Sequence, residues 1–259
     1  MDGAPAAITF IVHDRPSLPS PAREFSPGLV LRGVRPPLRL ADYKLIAFDM
    51  DSTLINIECI DEIADAAGRK AEVAAITEAA MRGEISDFKD SLRRRLALLA
   101  GVEEAQLAHV YRARLRLNPG AAELVLACKA AGLKVLLVSG GFSYFADRLR
   151  ERLALDFARS NRLEIVDGRL TGRVLLQDWG DIVDGAMKRQ TVLDTCSLIG
   201  CSPAQAIVMG DGANDLEMMQ AAGLSVAYRA KPRVREQAHV AIDLGGLDRL
   251  LEIFDAGHG

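Results

Sequence analysis

Two aspartates, Asp49 and Asp51, stand two positions apart directly after the apolar run Leu45–Phe48. In an extended chain the side chains at i and i+2 point the same way, so both carboxylates would project from one strand end. Crowded carboxylates are unfavourable unless a cation or a proton offsets their charge. The pair therefore predicts either a metal site or a division of roles between a nucleophile and a proton donor.

Two further apolar runs end in small or acidic residues. The run at 133–138 leads into Ser139-Gly140-Gly141, and the run at 206–209 leads into the segment 210–215, which holds two aspartates and an asparagine. Continuous Val/Ile/Leu runs are typical of parallel strands that are buried on both faces. Ligands of such sheets bind beyond the carboxyl ends of the strands. We therefore expect the three polar clusters to converge on one crevice.

The pattern along the chain divides it into three parts. Residues 1–43 hold an apolar run at 7–12 and then a proline-rich tract, and they predict an N-terminal extension packed against the core. Residues 58–117 show helical spacing and no strand run, which predicts an inserted helical cap. Residues 44–57 and 118–259 alternate strands and helices, which predicts a doubly wound, mostly parallel α/β sheet.

Two local signals refine this division. Asn118-Pro119 predicts a helix start, with the asparagine as the cap and the proline in the first turn. Asp167-Gly168, between two short strand-like runs, predicts a β-hairpin over residues 162–174.

The composition narrows the class of protein. The net charge of −3 over 259 residues gives no electrostatic reason to expect nucleic acid. No apolar run approaches the ~20 residues that span a bilayer, so no membrane partner is expected, and the N-terminus lacks the pattern of a secretory signal. Four scattered cysteines without CxxC spacing predict buried thiols in a reducing cytoplasm. We expect a cytoplasmic protein with a small-molecule partner, as a monomer or a homodimer.

The motifs, in order and with their spacing, resemble those of the haloacid dehalogenase-like phosphohydrolases. The four shared motifs are Asp49-x-Asp51-Ser52-Thr53, Ser139-Gly140-Gly141, Lys188, and Gly210-Asp211-Gly212-x-Asn214-Asp215. The resemblance covers roughly residues 44–250. It implies a Rossmannoid α/β core with an inserted helical cap and a Mg²⁺-dependent phosphomonoesterase activity.

The resemblance is closest to the members of that family that act on O-phosphoserine. These members carry a glutamate shortly after the first motif, and then a Met-x-Gly stretch, a phenylalanine and Ser-Leu-x-x-Arg. The matching residues here are Glu58, Met81-Arg82-Gly83, Phe88 and Ser91 to Arg95. The stretch from 83 to 88 is one residue longer than the commoner pattern of the family.

The resemblance also implies roles in catalysis. Asp49 would be the nucleophile that forms an aspartyl-phosphate, and Asp51 the general acid and base. One Mg²⁺ would be held by Asp49, Asp211 and the backbone carbonyl of Asp51, which are oxygen ligands that this ion prefers. A positive charge is needed there, because a carboxylate and a phosphate repel by on the order of 4 kcal/mol at ~4 Å and an effective dielectric of about 20.

Further residues would bind the substrate. The phosphate would be held by Ser139, Gly140 and Lys188. Asn214 would contact the substrate or cap the next helix, and Asp215 would orient Lys188 or a ligand. In the cap, Glu58 suits an ammonium group, Arg95 suits a carboxylate, and Met81 with Phe88 would close an apolar lid.

The implied reaction is hydrolysis of O-phosphoserine to serine and phosphate, the last step of serine biosynthesis. One alternative is hydrolysis of, or phosphoryl transfer from, another small phosphorylated amino acid, such as phosphohomoserine or phosphothreonine. An alternative of another class is a non-catalytic module that binds a phosphorylated ligand. The intact set of Asp49, Asp51, Lys188 and Asp211 argues against that module, because a binder needs no nucleophile facing phosphate.

Overall fold

The structure is a computed structural model. It describes residues 21–81, 84–85 and 87–255, without the side chain of Met81. The strand expected at 7–12 lies outside the described residues, as do Arg82 and Gly83 of the predicted cap motif and part of the longer stretch up to Phe88.

The main sheet has eight strands among the described residues. In chain order, the ten strands formed by the residues that the structure describes are β1 (Arg23–Ser26), β2 (Leu29–Leu31), β3 (Leu45–Phe48), β4 (Lys134–Phe142), β5 (Phe157–Asn161), β6 (Leu163–Val166), β7 (Arg169–Val174), β8 (Ala206–Gly210), β9 (Leu224–Tyr228) and β10 (Val240–Ile242). The order across the sheet is β1-β2-β10-β9-β8-β3-β4-β5. All neighbours from β10 to β5 are parallel, and β1 and β2 add an antiparallel edge. The predicted fold class is confirmed, and the end of the N-terminal extension belongs to this sheet.

Helices cover both faces of the sheet. They are α1 (Cys59–Ala66), α2 (Lys70–Met81), α3 (Phe88–Ala97), α4 (Glu104–His109), α5 (Ala121–Ala130), α6 (Ser143–Leu153), α7 (Gly185–Ile199), α8 (Leu216–Ala221) and α9 (Pro232–Gln237). Alternate residues of β3 enter two cores: Ile46 and Phe48 pack with α5 and α6, whereas Leu45 and Ala47 pack with α7 and α8. Within the described range, no helix has the length and apolar character needed to cross a bilayer.

The helical insertion lies between β3 and β4 in the chain and comprises α1 to α4. The predicted hairpin is present as β6 and β7, and it forms a separate two-stranded sheet. It packs on the insertion: the backbone N–H of Gly101 donates to Leu170 O, and the N–H of Leu170 donates to Val102 O, both at 2.8 Å. The hairpin, which follows β5 in the chain, therefore supports the insertion in space.

The helix start predicted at Asn118-Pro119 is wrong by two residues. Helix α5 begins at Ala121 after Gly120, whose φ of 74° only glycine adopts readily. The side-chain amide of Asn118 donates instead to the carbonyl oxygens of Thr53 at 2.8 Å and Ile55 at 2.9 Å. The amide is needed there because the chain entering the insertion and the chain leaving it run side by side.

Candidate active site

Asp49 follows β3 at the carboxyl edge of the sheet. Its carboxylate Oδ1 accepts a hydrogen bond from the N–H of Met50 at 2.7 Å. The ammonium nitrogen of Lys188, on α7, lies 2.7 Å from the same oxygen. These two donors fix the orientation of the Asp49 carboxylate.

Lys188 is fully buried beneath Asp49. Its ammonium also lies 2.7 Å from Asp215 Oδ1. Burial alone would lower the pKa of Lys188, but the negative charges of Asp215 and Asp49 outweigh it and raise the pKa. Lys188 is therefore a permanent cation under the site.

Asp215 orients the segment that follows β8. Its second oxygen, Oδ2, accepts hydrogen bonds from the N–H of Asp211 at 3.0 Å and of Gly212 at 2.9 Å. The side chain of Asp211 accepts a further bond from the hydroxyl of Thr53 at 3.2 Å. Asp215 thus ties the Asp211 loop to Lys188, an arrangement consistent with the orienting role predicted for it.

The carboxylates of Asp49, Asp211 and Asp215 form a cluster that suits a hard cation. One oxygen from each lies within 4.8 Å of the others. Burial, followed by the charges of Asp215 and Glu58, raises the pKa of Asp211 to about 7. Burial and then Asp215 also raise the pKa of Asp49. Since both oxygens of Asp215 already bind donors, Asp49 and Asp211 are the better candidate metal ligands.

Asp51 lies in the same cavity, and its environment favours the protonated form. Its Oδ1 is buried and has no hydrogen-bond partner among the residues that the structure describes. Burial first, and then the charge of Glu58, raises the pKa of Asp51 to about 8, although hydrogen bonds from Cys59 act in the opposite direction. The neutral acid therefore predominates at pH 7.

The Ser139-Gly140-Gly141 segment is part of β4, which runs on to Phe142 beyond the strand end expected from the apolar run. Its register with β5 breaks between Val138 and Phe142. A side-chain Cβ at Gly141 would lie 2.6 Å from Met50 Cε and 2.8 Å from Asp51 Oδ2. A larger residue at position 141 would therefore displace the side chains of Met50 and Asp51.

The helical insertion closes the cavity from the opposite side. Glu58, directly before α1, accepts a 2.6 Å hydrogen bond from the hydroxyl of Ser52. Phe88 lies at the start of α3 over Gly140, where an added Cβ would be 3.0 Å from its ring atom Cζ. Arg95 lines the cavity from the same helix. Met81 ends α2, and its side chain is outside the described atoms.

Most predicted site residues therefore share one cavity. Those that line it are Asp49, Asp51, Glu58, Phe88, Arg95, Ser139, Gly140, Asp211 and Asn214. The remaining wall comes from Ile60, Leu92, Gly141, Phe142, Gly212 and Lys231. Lys188 and Asp215 lie directly behind Asp49, fully buried.

The sequence reasoning missed several residues of the site. Thr53 and Ser52 belong to the first motif but were given no role. Their positions next to two aspartates could have indicated that their hydroxyl groups bond to carboxylates of the site. Lys231 reaches the cavity wall, and its backbone N–H donates to Asp211 O at 3.0 Å. Asn161 was missed because it ends β5, whose sequence Phe-Ala-Arg-Ser-Asn has no apolar run.

This fold and this cavity define a class of hydrolase. The family model for haloacid dehalogenase-like hydrolases matches residues 43–223. The chain therefore belongs to the haloacid dehalogenase-like hydrolase family.

Individual relatives are similar over almost their whole length. A phosphoserine phosphatase from Polaromonas sp. is 72% identical over 230 residues, which cover 89% of this chain and 98% of that protein. A solved substrate-bound phosphoserine phosphatase has a TM-score of 0.75 and 37% identity, covering 82% of this chain and 99% of that one. A phospho-aspartyl intermediate analogue of phosphoserine phosphatase gives the same values of 0.75, 37%, 82% and 99%.

Proposed function

We propose that this chain is a phosphatase that hydrolyses O-phosphoserine to serine and inorganic phosphate through an aspartyl-phosphate. The observation that carries the proposal is the convergence of Asp49, Asp51, Ser139 and Asp211 on one cavity, with the buried cation of Lys188 beneath it. Similarity to phosphoserine phosphatases along almost the whole chain supports the choice of substrate.

In the first half of the reaction, a carboxylate oxygen of Asp49 attacks phosphorus and the bond from phosphorus to the serine oxygen breaks. Asp51 gives its proton to that leaving oxygen, which departs as the serine hydroxyl. Lys188 orients Asp49 and favours its ionised form against the opposing effects of burial and Asp215, and the hydroxyl of Ser139 donates to a phosphoryl oxygen. The raised pKa of Asp51 supports its role as the acid.

In the second half, the Asp51 carboxylate accepts a proton from water as the water oxygen attacks phosphorus. The bond between phosphorus and Asp49 breaks, which frees inorganic phosphate and restores both carboxyl groups to their starting states. The same side chain thus acts as acid and then as base.

The oxygen-rich cluster fits one Mg²⁺, for which we propose Asp49, Asp211 and the backbone carbonyl of Asp51 as protein ligands. When bound, the ion would supply the positive charge that offsets the repulsion between the carboxylates and the phosphate dianion. The raised pKa values of Asp49 and Asp211 support this assignment, since burial first and the neighbouring carboxylates second make their negative charges unfavourable without a cation.

The helical insertion, residues 58–117, would act as the specificity cap on a core made of 44–57 and 118–259. Glu58 would bind the ammonium group of the substrate and Arg95 its carboxylate, while Phe88 and Met81 would exclude water. Asn214, at the cavity wall, would contact the phosphate side of the substrate. The described part of the N-terminal extension, residues 21–43, would complete the sheet edge through β1 and β2.

The reaction would be the last step of serine biosynthesis, in the cytoplasm. All four cysteines lie in the described part of the chain and are free thiols, which fits a reducing compartment. The partner of the protein would be its small substrate, with the chain acting as a monomer or a homodimer.

Phosphate release from purified protein tests the proposal. O-phosphoserine, O-phosphothreonine, phosphohomoserine and a simple aryl phosphate are compared with Mg²⁺ and with EDTA. A mock purification from cells that do not express the protein controls for contaminating phosphatases, and Asp49→Asn tests the nucleophile. We expect the highest kcat/KM on O-phosphoserine, loss of activity in EDTA that Mg²⁺ restores, and no turnover by the variant.

Other outcomes select the alternatives. A preference for phosphothreonine or phosphohomoserine identifies another amino-acid phosphatase. Phosphorylated product formed on an added acceptor alcohol such as homoserine identifies a transferase. Absence of phosphate release from every substrate with Mg²⁺ present identifies a binding module, and near-normal turnover by Asp49→Asn rules out the covalent mechanism.

A further inference from the structure

We infer that Asn161 is a positioning residue for phosphate binding, acting through the Gly140–Gly141 peptide and Ser139. The inference rests on the proposed role of Ser139 as a donor to the phosphoryl group. Asn161 is the last residue of β5 and is fully buried. No motif of the sequence points to it.

Both ends of the Asn161 amide bind backbone atoms of the site. Its Nδ2 donates to the carbonyl oxygen of Gly140 at 2.7 Å. Its Oδ1 accepts from the backbone N–H of Val183 at 2.8 Å. The amide therefore joins the strand end that carries the serine to the segment that leads into α7.

The first bond sets the plane of the Gly140–Gly141 peptide. With the carbonyl held by Asn161, the N–H of the same peptide donates to Ser139 Oγ at 2.8 Å. A hydroxyl has one hydrogen to donate and lone pairs to accept. Because Ser139 Oγ accepts this bond, its own hydrogen remains available for a phosphoryl oxygen.

The glycine at position 140 explains why the orientation of this peptide must be fixed by a hydrogen bond. The backbone there carries no side chain to restrict it, and an added Cβ would lie 3.0 Å from Phe88 Cζ and 3.1 Å from Val183 O. Free glycine pairs sample many peptide orientations. The hydrogen bond from Asn161 holds this peptide in the orientation in which the Gly141 N–H donates to Ser139 Oγ.

The second hydrogen bond of Asn161, from the N–H of Val183, connects it to the helix that carries Lys188, the other side chain proposed to bind the phosphate. Val183 directly precedes Asp184, whose side chain accepts from Met187 N at 2.8 Å and caps the start of α7. The N–H of Lys188 donates to Asp184 O in the first turn of the same helix at 2.8 Å. One amide thus fixes the relative position of Ser139 and of the helix that carries Lys188.

The test is a double-mutant cycle between Asn161→Ala and Ser139→Ala. The readouts are KM and kcat for O-phosphoserine with Mg²⁺, and the inhibition constant of inorganic phosphate. We expect Asn161→Ala to raise the inhibition constant and KM on the order of tenfold, the size of a lost hydrogen bond to a charged group. In the Ser139→Ala background the same change should add less than about twofold, because the residue acts through the serine.

Thr195→Val is the matched control. Thr195 is buried on α7, and its hydroxyl donates to Thr191 O at 2.7 Å, so the variant also loses a buried hydrogen bond. It should lower the melting temperature and leave the inhibition constant of phosphate unchanged. If Asn161→Ala does not fold, Asn161→Asp replaces it, since Asp keeps the acceptor for Val183 N–H and loses the donor to Gly140 O.

Two results overturn the inference while the proposed function stands: an unchanged inhibition constant in a stable Asn161 variant, or an equal effect of that variant with and without Ser139. Failure of the proposed function is distinguishable, because wild-type protein would then release no phosphate from O-phosphoserine.

Discussion

Lys188 Nζ lies 2.7 Å from Asp49 Oδ1, and the lysine is completely excluded from solvent. The same nitrogen lies 2.7 Å from Asp215 Oδ1. Two buried carboxylates are therefore held by one buried cation, which also belongs to the proposed catalytic cluster. The Lys188 side chain therefore contributes both to folding stability and to the proposed catalysis. Removing it would leave two buried carboxylates without their partner.

Lys188→Met should therefore impair both folding stability and turnover. Removing one partner of a buried ion pair costs about 3–5 kcal/mol, and we expect a loss of kcat of more than about a hundredfold. Thermal unfolding and phosphate release measure the two effects. Lys44→Met removes an exposed lysine that bonds Ala41 O and should change neither. A variant with normal kcat would show that Lys188 has only a structural role.

Arg95→Ala should change specificity. Arg95 lines the cavity on α3, and it is the candidate partner of the substrate carboxylate. Loss of a hydrogen bond to a charged group costs about 1.5–3 kcal/mol, so KM for O-phosphoserine should rise roughly tenfold to a hundredfold. KM for an aryl phosphate without an amino-acid head should rise far less.

The control for that experiment is the preceding residue on the same helix. Arg94 is exposed and pairs with Asp90 at 2.8 Å within the helix, so Arg94→Ala should leave both KM values unchanged. Equal increases for Arg95→Ala on both substrates would mean that Arg95 holds the cap in place and does not recognise the substrate.

Ion pairs between α3 and the loop before α7 should hold the cap closed. Arg93 Nη2 lies 2.5 Å from Asp181 Oδ2, and Lys89 Nζ lies 3.4 Å from Asp184 Oδ2. The hydrogen bond from Arg93 lowers the pKa of Asp181. Because these groups are partly exposed, each pair is worth about 0.2–1 kcal/mol, and salt should weaken them.

Asp181→Asn should therefore raise KM by about twofold to fivefold and reduce its dependence on salt. The measurement is KM for O-phosphoserine from low to high NaCl. Asp90→Asn breaks an ion pair of similar exposure inside α3 and should keep the salt dependence of wild type. The same slope for Asp181→Asn and wild type would exclude a role of these ion pairs in cap closure.

The elements with strong local patterns could be predicted from the sequence. β3 and β8 are continuous apolar runs that are buried on both faces, and an aspartate directly follows each of them. Asp49 and Asp211 could therefore be placed in one crevice from pattern alone. The substrate could be expected only through the family resemblance, because the residues proposed to recognise it lie in a helical insertion without a strand signal of its own.

The missed features depend on contacts between segments that are distant in the chain. The local sequence predicts Asn118 to be a helix cap, but its side-chain amide donates hydrogen bonds to carbonyl groups more than sixty residues away. β5 contains an arginine, a serine and an asparagine, so its hydropathy does not indicate a buried strand. The Gly101–Leu170 backbone bond that seats the hairpin on the insertion has no sequence signal at all.

Asp156 should contribute to stability at neutral pH and lose that contribution in acid. Its carboxylate accepts from Lys134 Nζ at 2.7 Å and from the N–H of Val135 at 2.9 Å, which ties the start of β4 to the segment before β5. Burial alone would raise the pKa of Asp156, but these two hydrogen bonds outweigh it and the pKa is lowered.

A depressed pKa in the folded state stabilises the protein above the unfolded value of about 3.9, and the contribution disappears as the pH falls through the folded value. Asp156→Asn should therefore lower the melting temperature at pH 7 by about 2–4 °C, which corresponds to roughly 1 kcal/mol for a chain of this size. The difference from wild type should shrink below pH ~4. Asp147→Asn, which removes an exposed carboxylate from α6, controls for the change in net charge. A difference that stays constant from pH 7 to pH 3 would show that the Asp156 contacts act through shape and not through charge.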